Sequence, residues 1–265
     1  MIERVLEVVR DRKQRGRMSE AAYWNDRVRS RTGHARSVWH AANFSDAWHR
    51  RQVHVLREAF DELLGGAFGL DALDVGCGTG RITFELDLLG AEAVGVDFSE
   101  AAIEDARAEA AAIGARCRFE VGDLASSPLP FPDASFDLVC AVGCLAVACR
   151  DRPSLDRSLL EVARLLRPRG AVVLLEPIHT SWLLGRVLKE PVDVWLRCAQ
   201  SAGLRLRRRA GMGFVPFRLA LSSFDLPPWF VRPAFEVGEA AIDRLPISAM
   251  ADYALLGFHR ADRPG

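Results

Sequence analysis

The segment Asp74-Val75-Gly76-Cys77-Gly78-Thr79-Gly80 constrains this chain more than any other. Three alternating glycines follow the strand-like segment Leu70–Val75 and precede the helix-length stretch Arg81–Leu89. Glycine lets the main chain turn sharply and lets a ligand approach it, and the helix N-terminus that follows favours anionic groups. The segment therefore predicts a strand, a tight turn and a helix, with a nucleoside-type ligand at the turn. A dinucleotide fingerprint has its third glycine one position later, where this chain has Arg81. That spacing weighs against NAD.

Short apolar runs then alternate with amphipathic segments, the signature of βαβ units around a parallel sheet. Strands are expected at Ala93–Val96, ending at Asp97, then at Arg118–Val121, Phe136–Val142, Ala171–Glu176, Leu204–Arg209 and Tyr253–His259. Ser99 caps a helix that runs to about Ile113 with Glu100 in its first turn, and further helices are expected at Ser154–Leu166 and Val192–Ala202. Residues 1–66 read as an N-terminal helical cap or lid: an amphipathic stretch at 2–15, an aromatic-, histidine- and arginine-rich stretch, and a helix over Arg50–Leu64 closed by Gly65-Gly66. Residues 67–265 form the main domain. Within it, 210–250 is too long for a bare connection and reads as a lid insertion with a helix at Ala234–Leu245.

Acidic residues stand at the tips of these strands. Asp97, after strand two, is placed to accept hydrogen bonds from both hydroxyls of an unphosphorylated ribose. Asp123, after strand three, can accept from an exocyclic amine such as that of adenine, with Phe98 and Leu124 against the ring. Asp74, before the first glycine, is counted with the cofactor-binding residues, although it can also simply hydrogen-bond the turn. An aspartate after a strand is also a common turn former, but these sites follow consecutive strands, at the edge where open α/β sheets bind ligands.

Together, Ala72–Gly80, Val94-Gly95-Val96-Asp97-Phe98-Ser99, Val121-Gly122-Asp123, Leu129–Asp137 and Leu165-Leu166-Arg167-Pro168-Arg169-Gly170 resemble the class I S-adenosylmethionine-dependent methyltransferases. The nearest group is the small-molecule enzymes related to ubiquinone and menaquinone biosynthesis. The resemblance implies a Rossmann-like, mostly parallel seven-stranded sheet with an antiparallel last strand. It implies that Gly76, Cys77 and Gly78 meet the methionine and ribose of S-adenosyl-L-methionine, Asp97 the ribose, and Asp123 and Leu124 the adenine. Ala141 and Val142 would then pass beneath the sulfonium, and Tyr23-Trp24 would close over the cofactor. S-adenosyl-L-homocysteine is the implied product. Many relatives carry a histidine after strand four where this chain has Val147, so no acid/base role transfers there. The Asn/Asp-Pro-Pro-aromatic signature of nucleobase and glutamine methylation is absent.

An acceptor hydroxyl or carbon acid needs a base, and histidine is the usual choice near neutral pH. His179, just after strand five, is the leading catalytic candidate, with His34 and His40 behind it. Cys144 reads as a small packing residue. The expected acceptor is a small, largely apolar or aromatic metabolite, methylated on O, N or C, as in specialised-metabolite biosynthesis. Lys+Arg and Asp+Glu both number 35, which leaves no global field for nucleic acid or an anionic membrane. The six cysteines show no CxxC pair and no zinc spacing, so no metal is expected. No run approaches the roughly 18 apolar residues of a membrane span, and a cytoplasmic protein with reduced thiols is expected. The alternatives are an NAD(P)-dependent oxidoreductase, disfavoured by the glycine spacing and the lack of a Tyr-xxx-Lys pair, and a non-catalytic cofactor-binding relative. Oligomeric state is left open.

Overall fold

The computed structural model describes residues 17–30, 41–125, 128–178, 188–224, 226–244 and 250–261. Its elements are α1 (Ala21–Ser30), α2 (Ala42–Leu64), β1 (Asp71–Val75), α3 (Arg81–Leu88), β2 (Glu92–Asp97), α4 (Glu100–Ile113), β3 (Arg118–Val121), β4 (Phe136–Val142), α5 (Leu145–Ala148), α6 (Arg152–Leu165), β5 (Leu166–Glu176), α7 (Val192–Ser201), β6 (Leu204–Phe214), α8 (Val215–Ser223), α9 (Pro228–Arg244) and β7 (Ala251–Arg260).

The seven strands form one sheet in the order β3-β2-β1-β4-β5-β7-β6. The strands from β3 to β5 pair in parallel, and β7 is antiparallel to both its neighbours. This is the Rossmann-like architecture expected from the sequence. The chain runs outward from β1 through β2 to β3 and then crosses back to β4 on the other side of β1, so the order reverses at a topological switch point between β1 and β4, where such sheets bind ligands.

Side-chain alternation splits the core into two layers. Leu138 and Cys140 of β4 join Ile82, Leu86, Trp48 and Phe235 on one face. Val139 and Ala141 join Leu155, Leu159, Val162 and Trp195 on the other. Asp151 and Ser154 form a reciprocal capping box at the start of α6, which therefore begins at Arg152. Ser99 accepts from the Ala102 amide and Gly114 closes α4 in the left-handed conformation.

Four boundaries differ from the sequence expectation by five residues or more, among them that of β5, which begins at Leu166 directly after α6 rather than at Ala171. Helix α2 begins at Ala42 because Phe44 and Trp48 are fully buried and pack on each other and on Phe235. The helix thus shares the sheet's core. Strand β6 pairs with β7 as far as Phe214, so 210–214 belong to the sheet. Trp48 lies 2.4 Å from where a Cβ on Gly213 would sit, so only glycine lets α2 close there. Helix α9 begins at Pro228 and carries Pro233 inside it. The Pro227 carbonyl accepts from Phe230 and Val231, closing a first turn that continues through Pro233 at the cost of one helical hydrogen bond. Arg51 ties α2 to α9 by bonding Glu239 (3.1 Å) and Asp243 (2.8 Å), and Glu239 accepts from the Gly213 amide at 2.9 Å.

Candidate functional site

The turn after β1 is held by main-chain bonds: the Gly76 and Cys77 amides both donate to the Val96 carbonyl, at 2.7 and 3.1 Å. Gly76 (φ 69°) and Gly78 (φ 55°) are left-handed and serve different ends. A Cβ on Gly76 would fall 2.1 Å from Cys144 Sγ, whereas one on Gly78 would meet nothing within 4 Å. Gly76 lets the loop after β4 close on the turn, and Gly78 opens the main chain to the cleft.

Asp97, at the tip of β2, braces the turn from the other side. Its Oδ2 accepts from the Gly78 amide at 2.9 Å and its Oδ1 from the Ser99 amide at 2.8 Å. Burial raises its pKa, with the Asp123 charge adding to the rise, while the Ser99 and Gly78 amides oppose it. Each oxygen has lone-pair capacity left for a ligand hydroxyl. Asp74 is buried below the turn, accepting from Thr83 Oγ1 at 2.7 Å, and burial pushes its carboxyl up to about 6.

A cleft of about 1000 Å³, mouth included, runs along this edge. Asp74, Gly76, Cys77, Gly78, Asp97, Phe98, Asp123, Leu124 and Val142, all expected from the sequence, line it. Tyr23 does not; it is buried with its hydroxyl accepting from Arg27 at 3.2 Å, and its neighbour Trp24 faces the cleft. Helix α1 is fixed in that orientation by Asn25, whose Oδ1 accepts from Ser99 Oγ (2.8 Å) and the Ala101 amide (3.1 Å) at the start of α4. Ala141 is fully buried on the α6 face, one residue before Val142. His179, His34 and His40 lie outside the described residues. Val147 and Cys144 line the cleft. Burial, followed by the charges of Glu176 and Asp97, holds the Cys144 thiol well above the usual range, so it is a protonated packing group.

Two groups were not singled out as site residues from the sequence. Arg81, the residue that breaks the dinucleotide spacing, lines the cleft. Its Nη1 donates to His49 Nδ1 at 2.6 Å and to Gln52 Oε1 at 3.1 Å, both on α2. Burial lowers its pKa. Among the described residues it makes no ion pair, leaving a desolvated cation at the wall. Glu176, at the end of β5, is fully buried and accepts three amides: Cys144 (3.0 Å), Leu145 (3.0 Å) and Ala146 (3.1 Å). It thereby holds the loop after β4 against the turn.

Burial pushes Glu176 up to about 7 although the three amides pull the other way. Both raised acids, Asp74 and Glu176, bind protons in the folded state at pH values where the unfolded chain has released them. Their stabilising contribution is complete below the ordinary carboxylate range and is lost as pH rises through about 6 and about 7. The denaturation midpoint in urea is expected to fall between pH 5 and pH 8, and Glu176→Gln should flatten part of that fall. A midpoint that rises over this interval would refute the assignment.

Among the described residues no group of His, Cys, Asp and Glu is arranged to hold a metal ion, and no helix is long and apolar enough to cross a membrane.

Residues 72–170 match the family described as "Methyltransferase domain". The chain is 36% identical over 126 residues to a demethylmenaquinone methyltransferase of Tropheryma whipplei, covering 46% of this chain and 48% of that protein. It is 37% identical over 125 residues to nocamycin O-methyltransferase of Saccharothrix syringae, covering 44% and 42%. The chain thus spans about half the length of the curated relatives it matches. Among solved structures it resembles a magnesium protoporphyrin IX methyltransferase from Synechocystis with bound SAH (TM-score 0.59, 15% identity, 93% of this chain and 98% of that one). It also resembles a putative sarcosine dimethylglycine methyltransferase from Galdieria sulphuraria (TM-score 0.60, 16% identity, 80% and 86%).

Proposed function

We propose that this chain, whose residues 72–170 match the methyltransferase-domain family, is a class I methyltransferase that binds S-adenosylmethionine along the cleft and passes its methyl to a small, largely apolar or aromatic metabolite. The observation that carries this reading is one continuous cleft leading from Asp123 and Asp97, past the open main chain at Gly78, to the end of β4 at Val142. The donor set fits the ligand. Asp97 would take the ribose hydroxyls, Asp123 the adenine amine, and Phe98 and Leu124 the ring faces. Arg81, a buried cation making no ion pair among the described residues, would take the methionine carboxylate. The same reading makes α1 part of an N-terminal cap, α8 and α9 after β6 a lid over the acceptor, and the protein a cytoplasmic enzyme that does not act on nucleic acid.

S-adenosylmethionine, when bound, supplies a methyl already activated on a sulfonium. The protein's part is to align the acceptor with that methyl and exclude water. Gly76 and Gly78 set the height of the main chain beneath the ligand, Glu176 fixes the loop after β4, and Trp24 covers the adenine side.

The assignment of Arg81 separates two ligands. Arg81→Met should weaken S-adenosylhomocysteine roughly 10- to 100-fold, the range for losing a charged hydrogen-bond partner. It should leave 5′-methylthioadenosine, which has the same nucleoside without the amino-acid carboxylate, unchanged. Calorimetry that shows equal losses for both ligands would contradict the role.

A further inference from the structure

One half-buried polar side chain near the cleft takes no part in that site. Strand β7 is antiparallel, so its first residues stand at the carboxyl edge of the sheet, and Tyr253 follows directly on Ala251 and Asp252 there. Its ring is wedged edge-on against Trp48, with centroids 5.2 Å apart. Its hydroxyl has no hydrogen-bond partner among the described residues. It points at Gly143, a left-handed residue (φ 63°) in the cleft wall, and lies 3.2 Å from where a Cβ there would sit.

The charged groups around Tyr253 are Asp252, Glu176, Arg218 and Arg81. Both carboxylates are engaged, Asp252 with Arg218 at 2.9 Å and Glu176 with three amides. Burial, reinforced by those two carboxylates, raises the Tyr253 phenol above its ordinary range, so at neutral pH it is a donor. The wall beside it, Val142, Gly143, Cys144, Leu145 and Val147, offers no base among the described residues. A donor hydroxyl at a stretch of wall that carries no base of its own suits an acceptor that arrives already ionised.

We propose that Tyr253 hydrogen-bonds the acceptor oxygen at the Gly143 end of the cleft, and that the acceptor is an oxygen acid, an enol or an acidic phenol, bound as its anion. The proposal rests on the methyltransferase reading for the position of the methyl. In the transfer a lone pair of the oxyanion forms the O–C bond while the C–S bond breaks and its electron pair goes to sulfur. Sulfonium and oxyanion become a neutral thioether and a neutral ether. The acceptor's proton has left to solvent before binding, and Tyr253 keeps its own. Its hydrogen bond weakens as the oxygen loses charge, so Tyr253 serves binding and orientation rather than the chemical step. It is a positioning residue.

The test compares the wild-type chain with Tyr253→Phe, which keeps the ring against Trp48. S-adenosylhomocysteine is first titrated into each by calorimetry, then 4-nitrophenol is titrated into each complex while its phenolate absorbance is followed over pH. The two proteins should bind S-adenosylhomocysteine equally. The variant should bind the phenolate at least tenfold more weakly and raise the pKa of the bound phenol. With any phenol found to be methylated, KM should rise and kcat should not fall. Equal phenolate affinity in the two proteins overturns the proposal, and so does a wild-type complex that binds S-adenosylhomocysteine and not the phenolate. Absence of S-adenosylhomocysteine binding to wild type would instead remove the methyltransferase reading on which the proposal stands.

Discussion

Gly76→Ala is expected to lower the unfolding free energy by about 2–5 kcal/mol and to abolish measurable S-adenosylhomocysteine binding. Two costs combine. Placing a Cβ at φ 69° costs roughly 1–2 kcal/mol for a left-handed residue with a side chain. The same Cβ would lie 2.1 Å from Cys144 Sγ and 2.4 Å from Cys144 Cβ, an overpacking that costs typically about 1–3 kcal/mol. Cys144 cannot easily yield, because its amide and those of the next two residues are bonded to Glu176. Relief must therefore come from the turn itself, which moves the main chain at Gly78 away from the ligand. The two costs separate in a double-mutant cycle. Cys144→Gly removes both clashing atoms and leaves only the Cys144 Cα, 3.6 Å away. It should restore most of the packing loss to Gly76→Ala and none of the backbone strain. Denaturant unfolding of the four proteins measures this, and additive losses would show that the Gly76–Cys144 contact does not set the turn.

Asp97→Ala is expected to weaken S-adenosylhomocysteine by roughly 10- to 150-fold, or about 1.5–3 kcal/mol, the range for losing a charged hydrogen-bond partner. Asp97 has two duties that the variant ends together: it accepts from the Gly78 and Ser99 amides, and its remaining lone pairs face the cleft. Asp97→Asn keeps an acceptor oxygen for one of the amides and loses the charge, so its affinity should fall between wild type and alanine. An unchanged dissociation constant for Asp97→Ala, measured by calorimetry, would show that this carboxylate only shapes the turn.

The parallel half of the sheet was legible because most of its strands are short, largely apolar runs, and β1 to β4 each end at or just before a glycine or aspartate at the ligand-binding edge. The parity of β4 was not. Phe136–Val142 is covered on both faces, so nothing in an almost unbroken apolar run distinguishes Ala141, in the core, from Val142, in the cleft wall. The choice between Tyr23 and Trp24 depended on how α1 docks, and that is set by Asn25 bonding Ser99 from 74 residues away in sequence. The length of β6 was hidden by Gly211 and Gly213, which lower strand propensity, though Gly213 is what admits Trp48. Arg81 registered only as a glycine missing from the dinucleotide pattern. Its partners His49 and Gln52 lie on a helix about 30 residues earlier, and a buried arginine has no local sequence signature.

The turn from Gly76 to Gly80, with Asp97, is expected to hold the nucleoside of S-adenosylmethionine and not a dinucleotide. Isothermal titration of the full chain with S-adenosylhomocysteine and, separately, with NAD tests it most directly. Saturable 1:1 heat with S-adenosylhomocysteine and none with NAD is the expected result. Heat with NAD alone, or with neither ligand in folded protein, would contradict it.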